Sequence, residues 1–292
     1  MTLIEVYQNG KMTLNKAGIE SPTFDAMCLF EKVFGFDRQA LIVHGGEPAS
    51  QEKASEFSEK IVQRAQKRPL QYILGEWEFM SLQLEMGEGV LIAREDTEVL
   101  VKMAAEMLNR QHHSENPLQI LDLCCGTGAV ALGLASLVPS AEVTGVELYD
   151  DALRYLNTNI KKYPQYSVTA VQIDVLNPKS VNIFGDKKFD AIVSNPPYIR
   201  SEDLPTLQSE VQKEPQTALD GGGDGLLFYR AIADYWLPLL KEGGIAAVEV
   251  GEDEAQEVVS LFTAGGLKQI TVHKDFNEID RVVVGQAELL HI

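Results

Sequence analysis

Basic residues are scarce in this chain: 25 Lys and Arg stand against 43 Asp and Glu, a formal charge of −18 over 292 residues. Duplex nucleic acid is held largely by cations that neutralise phosphates, so this balance argues against a nucleic acid as the principal substrate. Cysteine is scarce too. Three residues, two of them the neighbours Cys124 and Cys125, make no disulfide framework and point to a reducing compartment. No segment approaches the roughly 20 apolar residues of a membrane span. Residues 1–20 mix charge and polarity where a secretory signal would carry a sustained apolar run. The expectation is a soluble, cytoplasmic protein. His44, His112, His113, His273 and His291 lie apart from every motif below and receive no role, and no metal-ligand spacing is present. What the chain does have is apolar substance. Hydrophobic residues make up 45%, enough for a sizeable core, and the length suggests two domains of about 150 residues each.

The organisation changes along the chain. Residues 1–72 show helical spacing without strand alternation, as in Leu3, Val6 and Tyr7 and again in Phe24, Met27, Phe30, Val33 and Phe34, with Ser21-Pro22 as a helix start. They predict a small domain of four or five helices. Residues 73–92 approximate alternation (Trp77, Phe79, Leu82, Leu84) punctuated by glycine, which predicts a β-hairpin linker. Residues 93–292 begin with a helix near 97–110, opened by Asp96 or Thr97, and then alternate strand and helix. Strands are expected at 119–124, 142–147, 168–173, 189–194, 244–250, 268–273 and 281–285, with helices at 128–138, 150–161, 225–240 and 252–264. Such alternation predicts an α/β fold with a seven-stranded, mostly parallel sheet, Rossmann-like. The connection Lys274–Asp280 is too short for a crossover helix, so the last strand should be antiparallel.

Two constellations carry chemistry. The first is Asn195-Pro196-Pro197-Tyr198, which ends the apolar run Phe189–Ser194 and so belongs at the carboxyl end of a buried strand, where open α/β sheets bind ligands. A planar amino group can give its two N–H bonds to the Asn195 side-chain oxygen and to a neighbouring carbonyl, that of Pro196. The prolines cannot donate, and their fixed φ holds that carbonyl in place. Tyr198 supplies a planar surface. This pattern suits alkylation of a planar nitrogen. The second is Asp122-Leu123-Cys124-Cys125-Gly126-Thr127-Gly128, a strand running into a glycine turn and then a helix. Glu147 ends the next strand, 21 positions after Gly126 and near the spacing of a ribose-binding acid; Asp174-Val175 ends the third strand, placed to meet an adenine. Acids suit an adenosine carrying a cation better than a pyrophosphate, and S-adenosylmethionine is such a ligand. Cys124 and Cys125 read as turn residues, since no base accompanies them.

These motifs resemble class I S-adenosylmethionine methyltransferases acting on planar nitrogens. Further segments resemble one family, the peptide chain release factor glutamine N5-methyltransferases (PrmC/HemK): Arg68-Pro69-Leu70-Gln71-Tyr72-Ile73-Leu74-Gly75, Arg94 with Thr97-Glu98, Glu214-Pro215-Gln216-Thr217-Ala218-Leu219, Gly221–Gly225, and Asp275 with Asp280-Arg281-Val282-Val283. The resemblance covers essentially the whole chain. One segment departs from it: the family's Pro-Arg-Pro is Ala93-Arg94-Glu95 here, so the loop presenting Arg94, a candidate substrate-binding residue, lacks the stiffness of two prolines.

The resemblance implies methyl transfer from S-adenosylmethionine to the side-chain amide nitrogen of the glutamine in the Gly-Gly-Gln loop of class I release factors. Asn195, Pro196 and Tyr198 would be catalytic, and Pro197 would join them in holding substrate. Asp122, Cys124, Cys125, Gly126, Thr127, Gly128, Glu147, Asp174, Val175 and Asn195 would hold the cofactor, and the helical domain would grip the release factor. Asn-Pro-Pro-Tyr also serves adenine and cytosine amino groups in DNA or RNA, and glutamine in a ribosomal protein. A non-catalytic protein that keeps the cofactor site is a third class, which intact Asn195 and Tyr198 argue against.

Overall fold

The computed structural model describes residues 1–111 and 116–288; His112, His113 and His291 lie outside them. The chain divides into two compact units, Met1–Trp77 together with Gln208–Lys213, and Glu78–Leu207 together with Glu214–Ile292.

The first unit is helical: α1 (Leu3–Lys16), α2 (Pro22–Phe34), α3 (Arg38–His44), α4 (Gln51–Ala65) and α5 (Leu70–Leu74). Local chemistry sets the ends. Thr2 and Glu5 form a reciprocal capping box at α1, Pro22 opens α2, and Gly35 closes it at φ 76°. The apolar stripes of α1, α2 and α4 bury Leu14, Leu29, Phe30, Phe57 and Ile61. Phe30 stacks on Phe34 at 4.4 Å and meets Phe57 edge-on at 5.6 Å. Arg64 of α4 is buried in this unit, its guanidinium donating to Asp25 and to Glu210, each at 2.7 Å. The partner Glu210 comes from the distant Gln208–Lys213 segment.

A two-stranded hairpin follows, β1 (Glu76–Phe79) and β2 (Leu82–Glu85), then α6 (Thr97–Gln111). The large sheet contains β3 (Leu118–Leu123), β4 (Ala141–Glu147), β5 (Ser167–Gln172), β6 (Phe189–Ser194), β7 (Leu240–Glu249), β8 (Leu267–Lys274) and β9 (Asp280–Ala287). Between them run α7 (Ala129–Leu137), α8 (Asp150–Lys162), α9 (Leu227–Ala231) and α10 (Ala255–Ala264). The strand order is β5-β4-β3-β6-β7-β9-β8. The first five are mutually parallel; β9 inserts antiparallel to both β7 and β8. Strands β3, β6 and β7 are covered on both faces, which is why they read as continuous apolar runs rather than alternating ones.

Two expected elements differ. β7 begins at Leu240 rather than at 244, because Gly243 (φ 72°) kinks the chain and lets Leu240 pair with Phe189 before Ile245 pairs with Ala191. The helix expected at 225–240 is α9, then one π-helical turn (Ile232–Trp236) and a 3₁₀ turn (Leu237–Leu239). Pro238 cannot continue an α-helix, and the widened turn seats fully buried Trp236, whose indole N–H donates to the Val175 carbonyl at 2.9 Å. No helix among the described residues is long and apolar enough to cross a membrane.

Candidate active site

The strand order reverses between β3 and β6, and a crevice at that switch point is where open α/β sheets take ligands. Leu123 is in register with Ser194, whose hydroxyl donates to the Leu123 carbonyl at 2.7 Å. The glycine turn after β3 and the Asn-Pro-Pro-Tyr after β6 are therefore neighbours. A cavity of about 240 Å³ opens there, within the second unit. Of the residues expected to bind cofactor or substrate, Cys124, Cys125, Gly126, Thr127, Glu147, Asp174, Val175, Asn195 and Pro197 line it; Asp122, Gly128, Pro196, Tyr198 and Arg94 do not. Val90, Phe228, Pro215 and Thr217 complete its walls, from segments far apart in the chain.

The turn is built around Glu147. One carboxylate oxygen accepts the Gly126 N–H at 2.9 Å; the other accepts those of Leu148 and Tyr149 at 2.8 and 3.0 Å. Cys124 (φ 59°), Gly126 (φ 57°) and Gly128 (φ 87°) all take left-handed backbone. At Gly128 a Cβ would also stand 2.8 Å from Leu156 Cδ1, so glycine is required twice over. Asp174 accepts the Leu176 N–H at 2.8 Å at the end of the third strand. Under the turn, Asp122 is 1% exposed; the Cys125 thiol and the Ala131 N–H lie beside its carboxylate, but neither oxygen has a partner in regular hydrogen-bond geometry among the described residues. Burial pushes its pKa up to about 7. Burial, with the nearby carboxylates, raises both Cys124 and Cys125 thiols well above their ordinary value, so they are no nucleophiles here. Apolar walls, two acids at successive strand ends and a tight turn whose Gly126 brings bare backbone to the cavity make a donor set that fits a cationic adenosine ligand.

At the other side of the cavity Asn195 Nδ2 donates to Thr97 Oγ1 at 3.1 Å. Tyr198 points its hydroxyl at Glu249 Oε1, 3.3 Å away. Glu249 ends β7 and is 1% exposed. Burial lifts its pKa to about 7, against the pull of the Thr97 hydroxyl and the Arg281 guanidinium. Burial and Glu249 together push the Tyr198 phenol up. The sequence reading missed Glu249. Its signal was available, since Glu249 closes an apolar strand just as Glu147 does.

The loop that lacks the family's prolines is braced by a different device. Buried Glu214 accepts the Ile92 N–H at 2.9 Å and pairs with Arg94. Asp224 and Arg230 form an exposed two-bond pair at 2.8 and 2.9 Å, away from the cavity lining.

The family model described as PrmC N-terminal domain matches residues 5–75, and the one described as Methyltransferase small domain matches residues 97–241. The chain is 38% identical to the release factor glutamine methyltransferase of Geobacter sulfurreducens, over 94% of its own length and 92% of the relative's. This chain belongs to the release factor glutamine methyltransferase family. Its membership makes it an S-adenosylmethionine-dependent methyltransferase. Solved structures agree on the fold: the hMettl16 catalytic domain in complex with a MAT2A 3′UTR hairpin superposes at a TM-score of 0.57, with 14% identity over 78% of this chain and 81% of that one. The Thermus thermophilus 16S rRNA N2 G1207 methyltransferase, in complex with AdoMet and guanosine, gives 0.51 and 19% over 73% and 50%.

Proposed function

We propose that this chain methylates the side-chain amide nitrogen of the glutamine in the Gly-Gly-Gln loop of class I release factors. The observation that carries the reading is the placement of Asn195: anchored through Nδ2 on Thr97 at the cavity wall, it is left with Oδ1 as an acceptor. Glu147, Asp174, Val175 and the turn Cys124–Gly128 would hold S-adenosylmethionine, with Asp122 beneath them. When bound, it supplies an electrophilic methyl group on a sulfonium.

An amide nitrogen is a weak nucleophile, because its lone pair is shared with the carbonyl. Asn195 Oδ1 and the Pro196 carbonyl accept its two N–H bonds, and those bonds strengthen as positive charge grows on nitrogen. Tyr198, its hydroxyl tied to Glu249, supplies a planar wall for the amide. Holding the two reactants in line contributes about 7–11 kcal/mol when the geometry is good. The proton leaves to water after the transfer. Residues 1–72 form the recognition domain in this reading and 73–92 a linker to the catalytic domain at 93–292.

The test uses labelled S-adenosylmethionine with three acceptors: a class I release factor, its Gly-Gly-Gln variant with that glutamine changed to alanine, and duplex DNA. Label on the intact factor alone supports the reading. Label on DNA, or equal label on both factors, overturns it, and a ribosomal protein labelled in preference would move the substrate within the same chemistry.

A further inference from the structure

Glycine lets one backbone lie directly on another, because no Cβ stands between them. Just beyond the cavity wall at Pro215, Thr217 and Ala218, two glycines do this against Tyr198. A Cβ on buried Gly221 would stand 2.7 Å from Tyr198 Cα, 2.7 Å from its carbonyl carbon and 2.7 Å from Gly225 O. One on Gly225 (φ 79°) would stand 2.6 Å from Tyr198 O and overlap Glu254 Oε1. All but the last are main-chain atoms, which cannot swing aside. Hydrogen bonds hold the two segments together around a parallel bridge between Ile199 and Asp220. Ile199 N–H donates to Leu219 O at 2.9 Å, Gly221 N–H to Ile199 O at 2.8 Å, and Ser201 N–H to Gly222 O at 3.0 Å. Asp220 Oδ1 clasps the far end, accepting the Ser201 hydroxyl at 2.7 Å and the Gly222 N–H at 2.9 Å.

Resting on the proposed glutamine methylation, we infer that Asp220, Gly221 and Gly225 are positioning residues that seat the Asn195–Tyr198 turn and so set where it presents the acceptor amide to the cofactor. The start of the turn is fixed by β6, through the register with β3 and the Ser194 hydroxyl. Its other end leaves the sheet, and Pro196 and Pro197 have no N–H with which to bond a neighbour. Gly221 and Gly225 supply the missing constraint as direct backbone contact, and Asp220 keeps them in place. A side chain on Gly221 would have to push Tyr198 Cα away by roughly 0.8 Å to reach an ordinary carbon contact near 3.5 Å. A misplacement of about 1 Å at a reacting centre costs about 10²-fold in rate. Gly223, exposed in the same segment, carries no such demand: among the described residues no atom lies within 4 Å of where its Cβ would stand.

The experiment compares the full-length wild type with Gly221→Ala, Gly223→Ala, Asp220→Ala and Asp220→Asn. In Gly221→Ala kcat on the release factor should fall about 10²-fold, with S-adenosylmethionine affinity close to wild type; Gly223→Ala should keep the wild-type kcat. Asp220→Ala opens the clasp without adding bulk, and kcat should fall about 3- to 10-fold, the scale of a lost hydrogen bond. Asp220→Asn keeps Oδ1 as the acceptor for both donors and should recover most of that loss. If Gly221→Ala does not fold, the Asp220 pair decides. A readout without any acceptor is the Tyr198 ring in spectra of tyrosine-labelled protein, assigned by its absence in Tyr198→Phe. Its signals should move in Gly221→Ala and Asp220→Ala and stay in place in Gly223→Ala. A Gly221→Ala enzyme with wild-type kcat, cofactor affinity falling as far as kcat, a Gly223→Ala enzyme as slow as Gly221→Ala, or Asp220→Asn as slow as Asp220→Ala would each overturn the inference. Ring signals that behave as expected in a protein whose wild type labels no glutamine would instead refute the proposed substrate and leave this seat standing.

Discussion

Gly145 of β4 offers a sharp test of how tightly the cofactor turn is packed. It is the register partner of Asp122, directly beneath the turn. A Cβ there would stand 2.6 Å from Cys125 Sγ, 3.4 Å from Cys125 Cβ and 3.5 Å from Leu156 Cδ2. Ordinary contacts begin near 3.5 Å, so the sulfur alone lies about 1 Å too close. Cys125 has little room to retreat: its N–H donates to Val146 O at 2.8 Å, its carbonyl accepts Gly128 N–H at 2.9 Å, and it is buried. Overpacking of this kind costs about 1–3 kcal/mol. If the turn carries that strain, Gly145→Ala weakens S-adenosylmethionine binding roughly 5- to 150-fold, at about 1.4 kcal/mol per tenfold. Calorimetric titration of the cofactor, with thermal unfolding alongside, measures both terms. Adding Cys125→Ala removes the sulfur and leaves contacts at 3.4 Å and beyond, so the double variant should bind more tightly than Gly145→Ala alone, with a coupling near 1 kcal/mol or more. Unchanged affinity and melting in Gly145→Ala, or no rescue by Cys125→Ala, would refute the packing argument.

Asn195→Ala should lower methyl transfer by about 10²–10³-fold, the scale of one lost oriented group at a reacting centre, while S-adenosylmethionine still binds; loss of binding measured by titration would show that the roles are not separable. Arg64→Ala should destabilise the helical unit by about 3–5 kcal/mol, because it strands Asp25, 5% exposed, without its cation; a melting temperature equal to wild type would contradict this. The acids Asp122 and Glu249, lifted to about 7 from ordinary values of 3.8 and 4.5, hold protons in the folded state that the unfolded chain has released. Stability of the ligand-free protein is therefore greatest at the acid end of that window and is lost as pH rises through it, by up to about 2.7 kcal/mol per pH unit between about 5.5 and 6.5 for these two protons, with buried Glu254, also lifted to about 7, adding in the same direction. Carboxylates held low, such as Asp224 at about 2, act only below this window. Urea unfolding at pH 5.5 and 6.5 decides it, and stability that rises with pH would refute the burial argument.

Much of this site was legible in the chain because its pieces are local. Glycines that require left-handed φ announced the turn at 126–128, acids closing apolar runs announced Glu147 and Asp174, and a Pro-Pro pair after Phe189–Ser194 announced the end of β6. Glu249 carried the same mark and was passed over, since nothing nearby in sequence says that Tyr198 will meet it. The loop at 93–95 misled in a similar way. Its missing prolines suggested looseness, yet its brace is Glu214, more than a hundred positions away.

The sequence by itself determined the periodicities, the turns, the seven strands and the antiparallel last strand, because alternation, helical spacing and special backbone angles are properties of a few consecutive residues. Tertiary structure alone decided the order β5-β4-β3-β6-β7-β9-β8, the inclusion of Gln208–Lys213 in the helical unit, and the meetings of Asn195 with Thr97 and of Tyr198 with Glu249. Those outcomes depend on which buried faces pack together across the sheet, and no local pattern encodes that choice.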